Sequence, residues 1–289
     1  MGPLDAVQLL PLMRQTSGRP EISIGLIDGP VLLAHADLAN QNIQEVPGEL
    51  RGTCARAESA ACLHGTFVAG MLSARRGTAA PAICPGCTLL VRPIFSETSP
   101  ADGDMPSATP EELAEAIVDC ANAGARVLNL SAALAQPSSK GERQLEQALD
   151  YAASREVISV AAAGNQGTLG SSAITRHPSV IPVAACDLQG RPLRESNLGS
   201  SIGKRGLMAP GKGITSLGTN GKPQTLGGTS AAAPFVTGAI ALLWSEFPRA
   251  RASRIRLAIT QAGSVRRRAI APPLLDAWAA YQILSSIQA

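Results

Sequence analysis

Short apolar runs alternate with longer small-residue or amphipathic segments along this 289-residue chain. Ile22 to Ile27 is an apolar run of strand length, closed by Asp28 and the turn pair Gly29-Pro30. Thr88 to Phe95, Arg126 to Leu130 and Val157 to Ala163 read the same way, the last ending in Gly164-Asn165. Val180 to Cys186, interrupted by Pro182, and Gly206 to Ala209 predict two further short strands. Helical patterns fall between them. Thr66 to Ala74 is a run of small and apolar residues. Thr109-Pro110-Glu111-Glu112 opens a helix with a Thr cap, a Pro in the first turn and acids at the positive dipole end, and Gly124 suits its C-cap. Gly141 to Ser154 carries Leu145, Ala148, Leu149 and Ala152 on one face. Ser230 to Phe247 predicts a long small-residue helix, and Arg254 to Ala262 and Leu274 to Ile287 predict two terminal helices. Residues 40 to 62 read as polar and irregular, and Ser96 to Pro110 as a loop.

Strands alternating with helices predict an α/β three-layer sandwich, with a mostly parallel central sheet flanked by helices. There is no internal repeat and no long linker, so one domain over residues 1–289 is expected. Residues 1–20 are expected to be an N-terminal extension, with no pro-domain. The 28 Gly and 21 Pro fit tight connections between short elements.

Composition narrows the function classes. An apolar fraction of 45% with a net charge of +3 argues against disorder. That weak charge, with two Trp, two Tyr and four Phe, also argues against a nucleic-acid binder. No apolar run reaches the roughly 18 residues a membrane span needs. The start Met1-Gly2-Pro3-Leu4-Asp5 lacks the basic residues of a signal peptide, and Ala6 leaves a myristoylation pattern incomplete. The expectation is a soluble cytoplasmic protein without a membrane partner.

Four segments carry chemistry. Gly25-Leu26-Ile27-Asp28 puts a carboxylate at the end of a buried strand. His64-Gly65-Thr66 puts an imidazole at a helix start, Ala163-Gly164-Asn165 puts an amide in a Gly-flanked turn, and Gly228-Thr229-Ser230 puts a hydroxyl where a Gly-rich turn enters a helix. Each alone is commonly a cap, turn or structural residue. Together they form a set with one purpose. A Ser hydroxyl becomes a nucleophile when a base takes its proton. Imidazole titrates near neutrality, and a carboxylate fixes its tautomer and stabilises the imidazolium. A helix N-terminus and an Asn amide stabilise the developing oxyanion.

The order Asp, His, Asn, Ser resembles that of the subtilisin family of serine peptidases. The resemblance runs from about Ile22 to Gln282 through "HGTFVAG", "VLNLSAAL", "AAAGNQG", "HPSVIPVAA", "MAPG" and "GGTSAAAP". It implies that Asp28 orients, His64 is the general acid and base, Ser230 is the nucleophile and Asn165 is the oxyanion donor. It further implies that Ser131, Ala132 and Ala133 pair with the substrate backbone as an added strand. Ala162, Ala163 and Gly164 would form the other wall of the specificity pocket. "IDGPV", "HGTFVAG" and "APAICPGCTLLVRPIF" narrow the resemblance to PatA-type proteases of cyanobactin clusters, which cut leaders from ribosomally made precursor peptides.

Some features depart from secreted members. Gly29-Pro30 follows Asp28 where the family usually has Thr/Ser-Gly, and only a short segment precedes that Asp. Ser73 to Pro85 is short and holds no carboxylate, so no tight calcium is expected there; no metal and no cofactor are expected elsewhere. Residues 40 to 62 show no clear helix pair of the kind inserted in PatG-type macrocyclases, which favours hydrolysis. The expected partner is a peptide or precursor peptide. The competing readings are a general intracellular degradative subtilase, a PatG-like macrocyclase, and a peptide-binding module without catalysis.

Six cysteines leave local pairings open. Cys84-Pro85-Gly86-Cys87 lacks the further ligands of a zinc site. Cys84–Cys87 and Cys54–Cys62 are expected to be structural thiols or local disulfides. A Cys54–Cys62 bridge would brace the segment ahead of His64. The basic run Arg266-Arg267-Arg268 reads as an exposed face, with docking of an acidic leader segment as the alternative, and Glu111, Glu112 and Glu115 read as a solvated helix start.

Overall fold

A computed structural model describes residues 1–97, 107–131, 141–262 and 270–286. In chain order the elements are α1 (Pro3–Ala6), α2 (Leu9–Gln15), β1 (Ser23–Asp28), β2 (Ile43–Glu45), α3 (Ala60–Ser73) and β3 (Thr88–Pro93). Next come α4 (Pro110–Asn122), β4 (Val127–Leu130), α5 (Glu142–Ser154), β5 (Ile158–Ala162), α6 (Ala173–Arg176) and β6 (Val180–Cys186). The last are α7 (Ser200–Arg205), β7 (Leu207–Pro210), β8 (Ile214–Ser216), β9 (Gln224–Leu226), α8 (Thr229–Glu246), α9 (Ala252–Gln261) and α10 (Ala277–Ser286).

Seven strands form a parallel sheet in the order β2-β3-β1-β4-β5-β6-β7, and β8 and β9 form an antiparallel pair. Apart from the edge strand β2, whose Gln44 and Glu45 are exposed, the strands of this parallel sheet are buried on both faces because helices cover both. Alternate residues divide between two cores: Ile24 and Leu26 face one with α3 and α8, and Ile27 faces the other with α4 and α5. This is the expected three-layer α/β sandwich. The chain leaves β1 toward β3 on one side and returns to β4 on the other. In open α/β sheets, sites form at the carboxyl ends of strands near such a reversal.

Helix α8 is buried along most of its length because Ala231, Ala232, Ala233, Ala239 and Ala241 let it lie close to the sheet. Asn129 of β4 sits beneath it, wholly buried, and its Oδ1 accepts from Thr237 of α8 at 2.8 Å. Trp244 is also fully buried, and its indole donates to the Ala250 carbonyl at 2.8 Å.

Several expectations are corrected. The helix expected from Thr66 begins at Ala60, because the Ser59 hydroxyl accepts from the Cys62 N–H and caps it. Residues 40 to 62 therefore hold β2 and the first residues of α3, rather than being irregular throughout. Pro182 does not interrupt β6, which runs unbroken between β5 and β7. The first residues of the chain form two short helices, α1 and α2, that had no predicted counterpart. Leu9 and Leu12 are fully buried, and Pro11 fits α2 because it lies in the first turn, where no helical N–H bond is needed. Small α6, α7 and the β8–β9 pair had no readable pattern.

Cys54 and Cys62 form the anticipated disulfide, while Cys84, Cys87, Cys120 and Cys186 are buried free thiols. The bridge ties the loop ahead of α3 to its first turn. Glu97 reinforces it, its carboxylate accepting from the Ala55 and Arg56 N–H groups at 2.8 Å each and from the Ser59 hydroxyl at 3.3 Å. Denatured, unreduced protein is expected to return four free thiols in a titration; six would show that the bridge does not form.

Candidate active site

Asp28 ends β1 and is fully buried. Its Oδ1 accepts from the Gly29 N–H at 2.6 Å and lies 2.7 Å from Nδ1 of His64. His64 lies in the second turn of α3, not at its start, and its side chain is 12% exposed. Its Nε2 lies 3.0 Å from the Ser230 hydroxyl. Ser230 is the second residue of α8, so its own N–H is one of the helix-start donors without an intrahelical partner. Pro234 has no N–H to return to the Ser230 carbonyl.

Two glycines allow this approach. A Cβ at Gly29 would stand 2.0 Å from the Ala61 carbonyl oxygen, and one at Gly65 would stand 2.4 Å from the Gly29 and Pro30 carbonyl oxygens. The turn after β1 and the body of α3 therefore meet backbone to backbone. Only glycine fits there, and that contact carries Asp28 to His64.

Asn165 follows the end of β5. Its Oδ1 accepts from the Thr229 N–H at 2.8 Å and from the Thr229 hydroxyl at 3.0 Å. With its oxygen so held, the amide presents its NH₂ as a donor. The Thr229 hydroxyl also accepts from the Gly164 N–H at 3.1 Å, joining the two segments. Sequence reading missed this role, although Thr229 lies inside the "GGTSAAAP" run.

The other expected site residues fall as follows. Ser131, just beyond β4, is buried, and its hydroxyl accepts from the Asn129 amide at 2.8 Å. Ala162 ends β5, and the Ala163 side chain packs with Ala184, Cys186, Ile202 and Met208. Gly164 turns the chain toward Asn165 with φ +104°. Ala132, Ala133 and Arg266 to Arg268 lie outside the described residues. The sulfurs of Cys54 and Cys62 lie near the Glu97 carboxylate, but bonded to each other they offer neither a thiolate ligand nor a second nucleophile.

Burial pulls the His64 pKa down. The Asp28 carboxylate, by charge and by hydrogen bond, pulls it up, and the net position is raised from 6.5. A neutral imidazole at Nε2 can take the Ser230 proton, while Asp28 holds the Nδ1 proton and favours the imidazolium that forms. The protonated His64–Asp28 pair stabilises the fold fully below pH 6.5 and loses that contribution as pH rises through the raised pKa.

A hydroxyl, imidazole and buried carboxylate in line, on a parallel α/β sheet, define a subtilisin-like serine endopeptidase. A model of the subtilase family matches residues 19–271, and the chain belongs to that family. Subtilisin DY of Bacillus licheniformis is 31% identical over 241 residues, covering 81% of this chain and 81% of that protein. Fervidolysin of Fervidobacterium pennivorans is 29% identical over 281 residues, or 88% of this chain, which spans only 39% of that relative. Among solved structures, an alanine mutant of the protease domain of PatA is 31% identical with a TM-score of 0.85, covering 93% of this chain and 97% of its own. The prenylagaramide maturation protease PagA is 28% identical with a TM-score of 0.83, covering 96% and 98%. The PatG macrocyclase domain, at 22% identity and a TM-score of 0.83, covers 99% and 98% and shares the fold.

The rate is expected to rise with pH as His64 loses its proton, with an apparent pKa above 6.5 in kcat/KM. Asp28→Asn is expected to move that limb to lower pH and to cut kcat by about 10⁴-fold through the wrong tautomer. A pH profile of both proteins checks this, and an unmoved limb would contradict it.

Proposed function

We propose that Asp28, His64 and Ser230 act as a catalytic triad, with Asn165 as oxyanion donor, and that the substrate is a ribosomally made precursor peptide whose leader is removed. The observation that carries the catalytic part is the line of contacts at 2.7 Å and 3.0 Å from the buried carboxylate through His64 to the Ser230 hydroxyl. Likeness to the PatA and PagA maturation proteases supports the choice of substrate.

Ser230 Oγ attacks the scissile carbonyl carbon while His64 Nε2 takes its proton. The tetrahedral oxyanion accepts from the Asn165 amide and from the Ser230 N–H at the start of α8. Collapse breaks the C–N bond, and His64 hands the proton to the leaving amine. A water then repeats the sequence on the acyl-enzyme, releasing the new carboxylate and restoring Ser230. In this reading Ser131 with Ala132 and Ala133 forms one backbone edge of the substrate cleft, and Ala162, Ala163 and Gly164 form the facing wall.

We read residues 1–289 as one peptidase domain, supported by a single large sheet shared by two cores. Among the described residues no helix is long and apolar enough to cross a membrane. The reading places the activity in the cytoplasm, where the precursor is made. Cys54–Cys62 would then be one of the uncommon disulfides held in a reducing compartment.

Mass spectrometry of a precursor peptide is expected to show one dominant linear cut, with little digestion of casein. Broad casein digestion would replace this reading with a degradative subtilase, and a cyclic product from a tailed peptide would replace it with a macrocyclase. Ser230→Ala is expected to abolish the cut. Asn165→Ala is expected to lower kcat by about 10²–10³-fold, a figure set by subtilisin itself. Cleavage that survives Ser230→Ala would remove the catalytic assignment.

A further inference from the structure

We infer that Asn197 is a positioning residue for the oxyanion donor, clamping the three consecutive peptide units around Asn165. The inference deepens the proposed role of Asn165 and rests on it. Asn197 lies in the irregular segment between β6 and α7, alongside the loop that follows β5.

Its contacts take the peptide units in turn. At the unit joining Ala163 and Gly164, the Asn197 Nδ2 donates to the Ala163 carbonyl at 3.2 Å, while the Gly164 N–H donates to Thr229. At the next unit, the Asn197 backbone N–H donates to the Gly164 carbonyl at 2.9 Å. At the unit after Asn165, the Asn197 Oδ1 accepts from the Gln166 N–H at 3.0 Å. The same Oδ1 accepts from the N–H and the hydroxyl of Thr168, at 3.1 Å each, and Nδ2 donates to the Gln166 side chain at 2.7 Å.

The main chain around Asn165 thus has little freedom to rotate. Gly164, at φ +104°, leaves room for the clamp, since a Cβ there would stand 2.4 Å from the Asn197 Nδ2. The division of labour follows from the partners. Thr229 sets which end of the Asn165 amide faces the nucleophile, and Asn197 sets where its Cα stands. An oxyanion donor works through a position fixed before charge develops, so a main chain that moves should lose rate rather than ground-state binding.

The test is a double-mutant cycle on peptide hydrolysis, with thermal unfolding of each variant. Asn197→Ala is expected to lower kcat by about 10–100-fold with KM changed less than about threefold, a range set by the cost of misplacing a catalytic group by about 1 Å. In an Asn165→Ala background the same change is expected to cost less than about threefold, because the group it positions is gone. Asn197→Asp keeps the acceptor toward Gln166 and Thr168 and the backbone N–H bond to Gly164, but loses both bonds donated by Nδ2 and sets a carboxylate oxygen against the Ala163 carbonyl. It is expected to lower kcat and to cost less in the Asn165→Ala background, and it carries the same cycle if the alanine variant does not fold. An equal loss of kcat in both backgrounds, or a change confined to KM, would overturn the clamp. Asn165→Ala with unchanged kcat would instead overturn the oxyanion reading on which the clamp depends.

Discussion

The turn after β1 and the first two turns of α3 meet backbone to backbone, with Gly29 against the Ala61 carbonyl and Gly65 against the carbonyls of Gly29 and Pro30. The catalytic end of the molecule depends on this contact. Asp28 is fixed by the sheet, because β1 is paired on both sides, with β3 and with β4. His64 is fixed by a helix with its own cap, disulfide and Glu97 brace. The two supports are built independently. They place imidazole and carboxylate 2.7 Å apart only because no side chain separates the two backbones. A methyl group at either glycine would push α3 outward, and an imidazole displaced by a fraction of an ångström is a poor base.

The same economy governs the rest of the site. Helix α8 carries Ser230 and lies buried against the sheet through its alanines, so this hydroxyl stands on a rigid element rather than a loop. Thr229, one residue earlier, touches both Asn165 and Gly164. The loop around Asn165 is therefore registered to the helix that bears Ser230. Asp28, with its Oδ1 shared by Gly29 and His64, and Asn165, with its Oδ1 shared by two Thr229 donors, each have partners that dictate their orientation.

That the segments of Asp28, His64, Asn165 and Ser230 come together was legible in the sequence because each sits in a short run with glycine beside it, where backbones can approach closely. The six strands β1, β3, β4, β5, β6 and β7 were legible because a sheet buried on both faces needs continuous apolar runs, whereas β2, β8 and β9 are three-residue strands with exposed or half-buried positions and leave no such run. Other features act across distances that no local pattern records. Asn197 reaches the loop around Asn165 from 31 residues away, and Glu97 holds Arg56 from 41 residues away. The start of α3 was misplaced because Ser59 caps a turn whose Ala60-Ala61-Cys62 reads equally as loop. The first helices left no readable pattern because α1 and α2 are only four and seven residues long, and Pro11 fits α2 only by occupying its first turn. Nothing in either sequence segment states that Leu9 and Leu12 find a core.

We propose that the Asp28–His64–Ser230 line makes one serine a nucleophile. It is tested most directly by treating the protein with a fluorophosphonate and mapping the adduct by peptide mass spectrometry. The expected result is one label per chain, on Ser230, lost in Ser230→Ala and strongly slowed in His64→Ala. Absence of labelling, or a label that persists in Ser230→Ala, would contradict it.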